Sequence, residues 1–562
     1  MSMLVAKTKE QIKSAVLMAV QKAQNSGALP GAELTDFNIE TPANRDHGDF
    51  AVNAAMVWAR ALKCAPRKIA EAITENIDYK DTYIKSAEIA GPGFINIRLN
   101  DNYYGDVVKD VLTKGADYGK SDFGGGKRVL VEFVSANPTG PMHIGNARGG
   151  ALGDCLAAVL SAAGYYTERE FYINDAGNQI NKFALSLDLR YRQLFEDGIE
   201  MPEDSYHGDD IIEHAKNFAE INGDKYMNVS EEERRAALVE FALPKNIQGL
   251  HDDLLKYRIE YDTWFKESTL HKNGEAARVI ELLKQSGNTY EKEGALWFNA
   301  EKFGCEKDFV LIRANGVPTY IVPDIAYHYN KLEVRKFDKA IDILGADHHG
   351  YVPRLKAALT ALGVDADRLD AVLMQMVRLV RNGEVIKASK RSGKAITLVT
   401  LLEEVPIDAA RFFFNLREPN SHFDYDLDLA VSESNTNPVY YVQYAHARIC
   451  SIIRNLKEEG IAADCGKTED LLLLTAPEER ELINHIAALT DEIILSAKTY
   501  DPARITHYLV DLATDFHKFY AACRVKGEDK NLVNARLCLC EATRTVIKNL
   551  LEMLKISAPE KM

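Results

Sequence analysis

Long hydrophobic runs are the first feature that this 562-residue chain lacks. No stretch reaches the ~18 uncharged apolar residues that a membrane-spanning helix needs. The first ten residues also lack the apolar segment of a secretory signal. These absences argue against a membrane protein and against export, so we predict a cytoplasmic protein that makes no membrane contact.

Paired cysteines are lacking as well. The eight cysteines are scattered, with no C-x-x-C pair and no histidine at the spacing of a metal ligand. This pattern excludes the common zinc modules and a disulfide framework. We therefore expect free thiols and no bound structural metal.

An excess of basic residues is also absent, because 83 acidic residues outnumber 68 lysines and arginines and give a formal charge of −15. Nucleic-acid binding depends on local patches of lysine and arginine, so the net charge neither supports nor excludes it. The chain does have an ordinary globular composition, 46% apolar and 27% charged. Its length suggests about three or four domains.

The stretch 129–164 has the pattern of a strand, a tight turn and a helix. Residues 129–134 are short, β-branched and nearly all apolar, as in a parallel strand covered on both faces. Residues 137–141 contain two prolines, which remove backbone donors, and Gly140, which favours a positive φ. The helix that follows would offer free N–H groups to a phosphate, and Gly145 at its start would let a flat base approach the backbone.

The start of this helix carries a family resemblance. His143-Ile-Gly-Asn146 resembles the HIGH signature of class I aminoacyl-tRNA synthetases, with Asn146 in place of the second histidine. The longer string Glu132-Phe-Val-Ser-Ala-Asn-Pro-Thr-Gly-Pro-Met-His-Ile-Gly145 is similar to the arginyl-tRNA synthetase family in particular. The resemblance implies an ATP-dependent enzyme of protein biosynthesis.

A P-loop is the competing nucleotide-binding motif. Gly115-Ala-Asp-Tyr-Gly-Lys-Ser121 invites that comparison, but it has three residues between its glycines where the motif needs four. A P-loop also follows a strand, whereas this segment precedes the strand at residue 129. The P-loop interpretation fails on both counts.

Residues 120–405 alternate strands and helices in the manner of a doubly wound, Rossmann-type α/β sheet. A second strand is predicted at 168–173, after which the pattern becomes helical and charged. We predict a helical insertion at about 185–285 between the two halves of the nucleotide-binding fold. This range is expected to be the catalytic domain.

The second half of that domain has its own strand signals. Segments 309–313 and 318–322 are predicted to pair as strands around a turn. Another buried strand is predicted at 340–344. It should deliver Gly345-Ala-Asp-His-His-Gly350 to the carboxyl edge of the sheet, where ligands bind in such folds.

A basic turn, Val385-Ile-Lys-Ala-Ser-Lys-Arg-Ser-Gly-Lys394, follows further along. By composition alone it would be an ordinary solvated loop. It also resembles the second class I signature, KMSKS, at Lys387-Ala-Ser-Lys-Arg391, with alanine in place of methionine and arginine in place of the last serine. The two signatures stand in the family's order with an insertion between them, which favours the class I interpretation over coincidence.

The two ends of the chain extend the resemblance to its whole length. Residues 1–110 have the pattern of a small α/β domain, and Gly91-Pro-Gly-Phe-Ile-Asn96 resembles the family's N-terminal module, which contacts the tRNA elbow. Residues 406–562 are predicted to be an all-α bundle, because apolar residues recur at helical spacing. Asp408-Ala-Ala-Arg411 is close to the family's D-A-L-R string, with alanine in place of leucine, and implies an anticodon-binding domain.

The resemblance assigns catalytic functions to individual side chains. His143 and Asn146 come from the first signature, and His143 can donate to phosphate oxygens. Lys390, helped by Lys387, can stabilise the departing pyrophosphate. The implied ATP-binding residues are Ala136, Pro138, Thr139, Gly140, Pro141, Met142, Ile144, Gly145 and Ser389.

An arginine pocket is implied in the same way. A guanidinium has five donors and a fixed charge, so its pocket must present carboxylates in planar register. By spacing alone, Asp324 would only complement a helix N-terminus and Glu267 would be a surface charge. The resemblance instead implies that Asp324, Glu267 and Tyr320 hold the side chain of the substrate, while Ser135 and Asn137 hold its α-amino end. The full implied set is Glu132, Ser135, Asn137, Glu267, Tyr320, Asp324, Asp347 and His348.

The implied reaction activates L-arginine with ATP to arginyl-adenylate and transfers arginine to the 3′ end of tRNA-Arg, with tRNA required for activation. In-line attack on the α-phosphate asks for positioned positive charge more than for a protein nucleophile. ATP and substrate-borne Mg²⁺ are the expected cofactors. The expected partners of a monomeric enzyme are tRNA-Arg, L-arginine and ATP.

Three alternatives stay open. Another class I synthetase would share both signatures and differ in the amino-acid pocket. A P-loop NTPase would need the motif that fails at 115–121. A catalytically inactive, RNA-binding relative would have lost the motif histidine and lysines, which this sequence retains. Pyrophosphate exchange with each amino acid, with and without tRNA, separates all of them.

Overall fold

The computed structural model describes residues 3–42, 44–386, 396–527 and 529–562. Three parts follow one another along the chain: a small α/β domain, a domain built on a parallel sheet, and a helical bundle. This is the predicted fold class, which is confirmed. Within the described ranges, no helix combines the length and the apolar character that crossing a membrane requires.

The N-terminal part is a four-stranded antiparallel sheet with strand order β1-β2-β4-β3, packed against helices. Its first helix buries Ile12, Val16, Ala19 and Ala23 on one face, as the amphipathic pattern predicts. The elements are α1 (Met3–Asn25), β1 (Ile39–Glu40), β2 (Phe50–Val52), α2 (Ala54–Leu62), α3 (Pro66–Asn76), β3 (Ile84–Ala90), β4 (Phe94–Leu99) and α4 (Asp101–Lys114).

The central part is organised by a five-stranded sheet with order β12-β11-β5-β6-β7, in which all neighbours are parallel. The chain goes from β5 to one side of the sheet and returns to the other side at β11, so these two strands flank the topological switch point. The strands are β5 (Arg128–Glu132), β6 (Tyr166–Ile173), β7 (Thr263–Lys266), β11 (Lys339–Gly345) and β12 (Leu369–Met374). The strands predicted near 129, 168 and 340 are thereby confirmed.

Helices and short hairpins surround this sheet. They are α5 (Ile144–Ala162), α6 (Gly177–Arg192), α7 (Asp209–Asn222), α8 (Glu231–Lys256), α9 (Glu267–Lys272), α10 (Glu275–Gln285), β8 (Thr289–Lys292), β9 (Ala295–Phe298), β10 (Phe309–Ile312), α11 (Ile321–Tyr329), α12 (Val352–Ala361), β13 (Val377–Arg381), β14 (Glu384–Ile386) and α13 (Leu398–Glu404). Helices α6, α7 and α8 share an apolar core of their own. They form a separate helical layer inserted after β6.

The predicted insertion at 185–285 is too long at its C-terminal end. Strand β7 (Thr263–Lys266) pairs in parallel with β6 and belongs to the central sheet. Its four residues were too few to stand out between two long helical patterns. The helical insertion therefore ends at about the last residue of α8.

The predicted strand at 318–322 is wrong. Strand β10 pairs with β9 instead, and only an isolated bridge joins Ile312 to Pro318. The Thr319 hydroxyl donates to the Val310 carbonyl at 2.7 Å, and helix α11 begins two residues later at Ile321. Proline cannot donate to a ladder, so the segment turns into a helix rather than extending a sheet.

The C-terminal part contains α14 (Ile407–Phe414), β15 (Phe423–Asp426), α15 (Leu427–Ala430), α16 (Pro438–Glu458), α17 (Pro477–Thr499), α18 (Ala503–Ala522) and α19 (Lys530–Met553). Its apolar core is continuous with the core under α5 and with that of the N-terminal part. Buried Arg411 reinforces this junction: its guanidinium lies 2.5 Å from the Asp154 carboxylate on α5 and donates to the Leu554 carbonyl at 2.7 Å. The signature helix and the bundle are thus bonded to each other directly.

Candidate active site

The carboxyl ends of the parallel strands collect the functional candidates. The segment 133–146 follows β5, Glu267 follows β7 directly, and the segment 346–350 follows β11. Because these ends meet at one edge of the sheet, residues far apart in the sequence lie around a common crevice.

The turn after β5 is strained at two residues that lack the freedom of glycine. Val134 has a φ of 69° and Ser135 a φ of 40°, and the Ser135 N–H donates to the Phe133 carbonyl at 3.0 Å, closing a γ-turn. The Ser135 hydroxyl donates to Glu132 at 2.8 Å and accepts from the Tyr172 N–H at 3.1 Å. Positive φ at a β-branched residue is rare and costly, which is typical of functional turns.

This turn differs from the prediction in one respect. The positive φ was expected at Gly140, yet that residue is not among those with positive φ. The sharp reversal falls earlier, at Val134 and Ser135, because Ser135 is fixed there by its bonds to β5 and β6. No compositional signal marks a valine for such a conformation.

The N-terminus of α5 begins with the signature residues. His143 is exposed at the cap position, and its N–H donates to the Asn146 side-chain oxygen at 3.1 Å. A Cβ added at Gly145 would meet no protein atom within 4 Å, so its face is open. Gly153, two turns along, is enclosed instead, since a Cβ there would lie 2.1 Å from the Phe133 ring. The helix is thus held against β5 while its first turn faces open space.

Two contacts bring a second segment to the signature. Thr397 forms a bridge with His143, and the Leu398 N–H donates to the Met142 carbonyl at 2.8 Å. The predicted lysine signature, with Lys387, Ser389 and Lys390, lies outside the described residues. The chain that follows it therefore docks on the first signature.

The helical insertion contacts the turn from the other side. The Asn246 side chain on α8 donates to the Pro138 carbonyl at 3.0 Å and bonds to His214 of α7 at 2.6 Å. A cavity of about 550 Å³ lies between the insertion and the turn. It is lined by Val134, Ser135, Ala136, Asn137, Thr139, Gly140, Pro141, His143, Asn146, Tyr206, Gly208 and Asp210. Of the eight predicted ATP-binding residues in the turn, four line this cavity (Ala136, Thr139, Gly140 and Pro141), and four are not among its lining residues (Pro138, Met142, Ile144 and Gly145).

A second, smaller cavity of about 170 Å³ lies on the β11 side of the turn. Its polar lining residues are Glu132, Tyr172, Asp324, Tyr327, His328, Asp342, His348 and Tyr351. Three of these are carboxylates, and the rest are chiefly aromatic. The cavity is therefore suited to a cation of modest size.

Asp324 is the central carboxylate of this cavity. It lies in the first turn of α11 and accepts a hydrogen bond from the Tyr351 hydroxyl. Burial raises the pKa of Asp324 to about 6, and the nearby charges of Glu132 and Glu267 act in the same direction. A bound cation would relieve both effects.

Glu267 approaches from the far side of the sheet. It is buried at the start of α9, 3.4 Å from the His271 ring. Burial raises the pKa of the Tyr172 hydroxyl, and the charges of Glu267 and Asp324 raise it further. Glu267 and Asp324 thus act on the same tyrosine from two different elements.

Tyr320 and Asp347 sit further out than the other predicted pocket residues. Tyr320 is 68% exposed and stacks on Tyr351, and the Asp347 side chain is 83% exposed. Both line an outer cavity of about 400 Å³, which shares Asp324, His348 and Tyr351 with the inner one. Tyr320 and Asp347 therefore lie at the mouth of the inner cavity.

Four lining residues of the inner cavity escaped the sequence analysis: Tyr172, His328, Asp342 and Tyr351. Asn246, which contacts the turn from the insertion, escaped it as well. A signal existed for one group, because His328 and Lys331 follow Asp324 at helical spacing on α11 and its extension. Glu132, His328 and Asp342 bring potential metal-ligating atoms within 4.8 Å of one another. The Lys331 ammonium already contacts the carboxylates of Glu132 and Asp342 and occupies the position that a metal ion would take.

Comparison with known proteins first defines the class. Residues 107–450 match the family model "tRNA synthetases class I (R), catalytic domain". The parallel sheet, with the signature at the start of the helix after its central strand, agrees with that match. The protein is a class I aminoacyl-tRNA synthetase.

The flanking domains and full-length relatives narrow this class. Residues 10–99 match "Arginyl tRNA synthetase N terminal domain" and residues 442–562 match "DALR anticodon binding domain". An arginine–tRNA ligase of Caldanaerobacter subterraneus subsp. tengcongensis is 54% identical over 562 residues, 100% of both chains. The chain belongs to the arginyl-tRNA synthetase family, and its reaction is the ATP-dependent ligation of arginine to tRNA.

Solved structures agree. A putative arginyl-tRNA synthetase from Campylobacter jejuni is 34% identical with a TM-score of 0.73, covering 83% of this chain and 100% of its own. The arginyl-tRNA synthetase of Thermus thermophilus has the same TM-score at 23% identity, over 98% of this chain and 100% of its own. At that identity the second likeness concerns the fold alone.

Proposed function

We propose that the chain forms arginyl-adenylate at the turn between β5 and α5 and then transfers arginine to the 3′ end of tRNA-Arg, with tRNA required for the first step. The observation that carries this proposal is the adjacency of two cavities, one open at a helix N-terminus and one lined by carboxylates. The first suits a nucleotide phosphate and the second a guanidinium.

ATP binds along the turn, with its phosphates toward the start of α5. The free N–H groups and the positive dipole end of that helix favour negative charge there, and His143 can donate to the same oxygens. Lys387 and Lys390 supply positive charge for the leaving pyrophosphate, which departs with its Mg²⁺ as part of the substrate. The docking of Thr397 on His143 supports this division of work.

The arginine substrate enters through the outer cavity. Asp324 and Glu267 hold its guanidinium, and Tyr320, Asp347 and His348 guide it from the mouth. Charge-assisted bonds to carboxylates are the strong, geometrically specific contacts that a planar guanidinium can make. The α-amino end then points to Ser135 and Asn137, which places the substrate carboxylate next to the nucleotide turn.

The C-terminal bundle binds the anticodon loop. A groove of about 540 Å³ there is lined by Tyr440, Tyr441, Tyr444, Arg448 and His517 among others. Arg448 lies 4.4 Å above the Tyr520 ring and 5.8 Å from that of Tyr444. These rings are half-buried, and aromatic rings beside an arginine are the usual platform for unstacked RNA bases.

The same proposal covers the organisation of the enzyme. Residues 1–110 contact the tRNA elbow, residues 120–405 carry out the chemistry, and residues 406–562 read the anticodon. The enzyme acts as a cytoplasmic monomer, and it holds no metal besides the Mg²⁺ that arrives with ATP.

Pyrophosphate exchange with each of the twenty amino acids tests the proposal. Among the twenty amino acids, we expect only arginine to support exchange, and only when tRNA-Arg is present. Brisk exchange without tRNA would contradict the tRNA requirement. Exchange with a different amino acid would show that the carboxylate-lined cavity does not select the substrate.

A further inference from the structure

A buried lysine lies behind the carboxylate-lined cavity. Helix α11 continues into a π-helical turn at Asn330–Val334, which turns Lys331 inward until it is 0% exposed. Its ammonium is 2.5 Å from Glu132 of β5 and 2.9 Å from Asp342 of β11, and it sits 4.2 Å over the Tyr327 ring. One cation thus joins the two strands that flank the switch point.

This ammonium stays charged despite its burial. Burial disfavours the charged form, but the carboxylates of Asp342, Glu132 and Glu170 outweigh it and raise the pKa of Lys331. For Asp342, burial acts against ionisation, yet Lys331 and His328 prevail and hold its pKa well below the usual range. Both partners are ionised throughout the physiological pH range.

His328 completes the arrangement with two acceptors. Its Nε2 lies 2.6 Å from the second oxygen of Asp342, and its Nδ1 lies 2.7 Å from the Asp324 carbonyl oxygen. The His328 ring therefore links the Asp342 carboxylate to the backbone of Asp324.

The oxygens of the three carboxylates now differ in availability. Glu132 receives Lys331 on one oxygen and the Ser135 hydroxyl on the other. Asp342 receives Lys331 and His328. Among the described residues, only the Tyr351 hydroxyl donates to the Asp324 carboxylate, which leaves its other oxygen open. The Lys331 ammonium is bonded to Glu132 and Asp342, whereas no lysine or arginine of the described residues is bonded to the Asp324 carboxylate.

We propose that Lys331 and His328 are positioning residues for arginine selection: they occupy Glu132 and Asp342, so that the guanidinium is directed to Asp324. The inference rests on the proposed arginine pocket. Without the lysine, two further carboxylates would compete for the same planar cation, and the substrate would settle in more than one orientation. Productive attack depends on a single orientation, because misplacement by about 1 Å can slow a reaction a hundredfold.

A double-mutant cycle tests the inference in the full-length enzyme with tRNA-Arg. Lys331→Met should raise the arginine KM at least tenfold and leave the ATP KM within twofold. Asp324→Asn should cost about a hundredfold in arginine KM in the native background but less than fivefold in the Lys331→Met background, because Glu132 and Asp342 would then substitute for it. Lys336→Met, which removes an exposed lysine of the same segment, is the matched control and should change neither constant.

The outcomes separate the two proposals. If Asp324→Asn alone left the arginine KM unchanged, the proposed pocket would fail whatever Lys331 does. If Asp324→Asn cost the same factor in both backgrounds, or folded Lys331→Met kept the native arginine KM, the positioning function would be wrong and the pocket would stand.

A second measurement needs no Lys331 variant and covers the case in which that variant does not fold. His328→Leu removes the ring that contacts an Asp342 oxygen at 2.6 Å, so it should raise the arginine KM at least fivefold and leave the ATP KM within twofold. A native arginine KM in a folded His328→Leu variant would overturn the positioning function.

Discussion

The nucleotide turn and the carboxylate-lined cavity are neighbours built in opposite ways. The turn is one continuous stretch, 134–146, with its function set by backbone shape and a helix N-terminus. The cavity collects polar side chains from β5, β6, α11, β11 and the segment after β11, and its function is set by buried charge. Under the proposed function, the contiguous site would act on the phosphates of ATP and the assembled site would recognise the amino acid.

The largest expected effect is the loss of arginine recognition in the carboxylate-lined cavity. Asp324→Asn removes the open carboxylate and leaves a guanidinium unpaired, which costs about 3–5 kcal/mol for a buried charge. We expect the arginine KM to rise by two orders of magnitude or more, with the ATP KM little changed. Asp308→Asn removes a surface carboxylate that also accepts from a tyrosine and serves as the control. An unchanged arginine KM in Asp324→Asn would place the side-chain pocket elsewhere.

A substitution in the nucleotide turn should change the rate of adenylate formation rather than the affinity for arginine. His143→Ala removes one transition-state donor, and we expect adenylate formation to slow by about two orders of magnitude. His507→Ala, at an exposed position of the bundle, should keep the native rate. Full single-turnover activity in a natively folded His143→Ala variant would remove this residue from the catalytic set.

The lysine signature gives a parallel prediction for the leaving group. Lys390→Ala should slow adenylate formation by about two orders of magnitude, because one positive charge on the departing pyrophosphate is lost. The measurement is a single-turnover assay at saturating ATP and arginine. A native rate in this variant would assign pyrophosphate stabilisation to other residues.

Lowering the pH should weaken arginine binding in the carboxylate-lined cavity and leave the nucleotide turn unaffected. The pKa of Asp324 is raised to about 6 by burial, so the carboxylate is ionised above that pH and protonates below it. Since the guanidinium binds the ionised form, the arginine KM should rise about tenfold for each pH unit below 6. The same titration of Asp324→Asn should lack this rise. A flat arginine KM from pH 7 to 5 in the native enzyme would show that another group carries the recognition.

The smallest expected effect concerns the contact between the insertion and the turn. Asn246→Ala removes its bond to the Pro138 carbonyl, worth about 1 kcal/mol. We expect the ATP KM to rise about fivefold and the arginine KM to stay constant. Asn222→Ala, which loses a comparable bond within the insertion itself, is the control. Equal effects of the two variants would mean that the contact is only structural.

The two sites also differ in how far the sequence predicts them. The fold of residues 129–164 can be predicted from local signals: an apolar strand, two prolines and a helical stripe of apolar residues. Residues of the predicted turn line one cavity. Asp324 and Glu267 are ambiguous by spacing alone, since a carboxylate at a helix start has an ordinary capping explanation. Only the tertiary structure brings Glu267, at the end of β7, and Asp324, on α11, close to the same residue, Tyr172.

Other features were beyond local patterns altogether. The strain at Val134 depends on Ser135 bonding to two strands. The four residues of β7 are a strand only because β6 pairs with them. Tyr351, the residue before α12, contributes through a hydroxyl that donates to Asp324 of α11. Each depends on a tertiary contact, which composition and periodicity do not encode.

One measurement tests the division between the sites most directly: single-turnover adenylate formation, at saturating ATP and tRNA-Arg, titrated with arginine for Asp324→Asn and His143→Ala side by side. We predict that Asp324→Asn shifts the half-saturating arginine concentration by about a hundredfold and reaches a near-native plateau. His143→Ala should keep the native half-saturation and lower the plateau by about a hundredfold. If both variants moved both quantities alike, the two cavities would not be separate sites for amino-acid recognition and nucleotide chemistry.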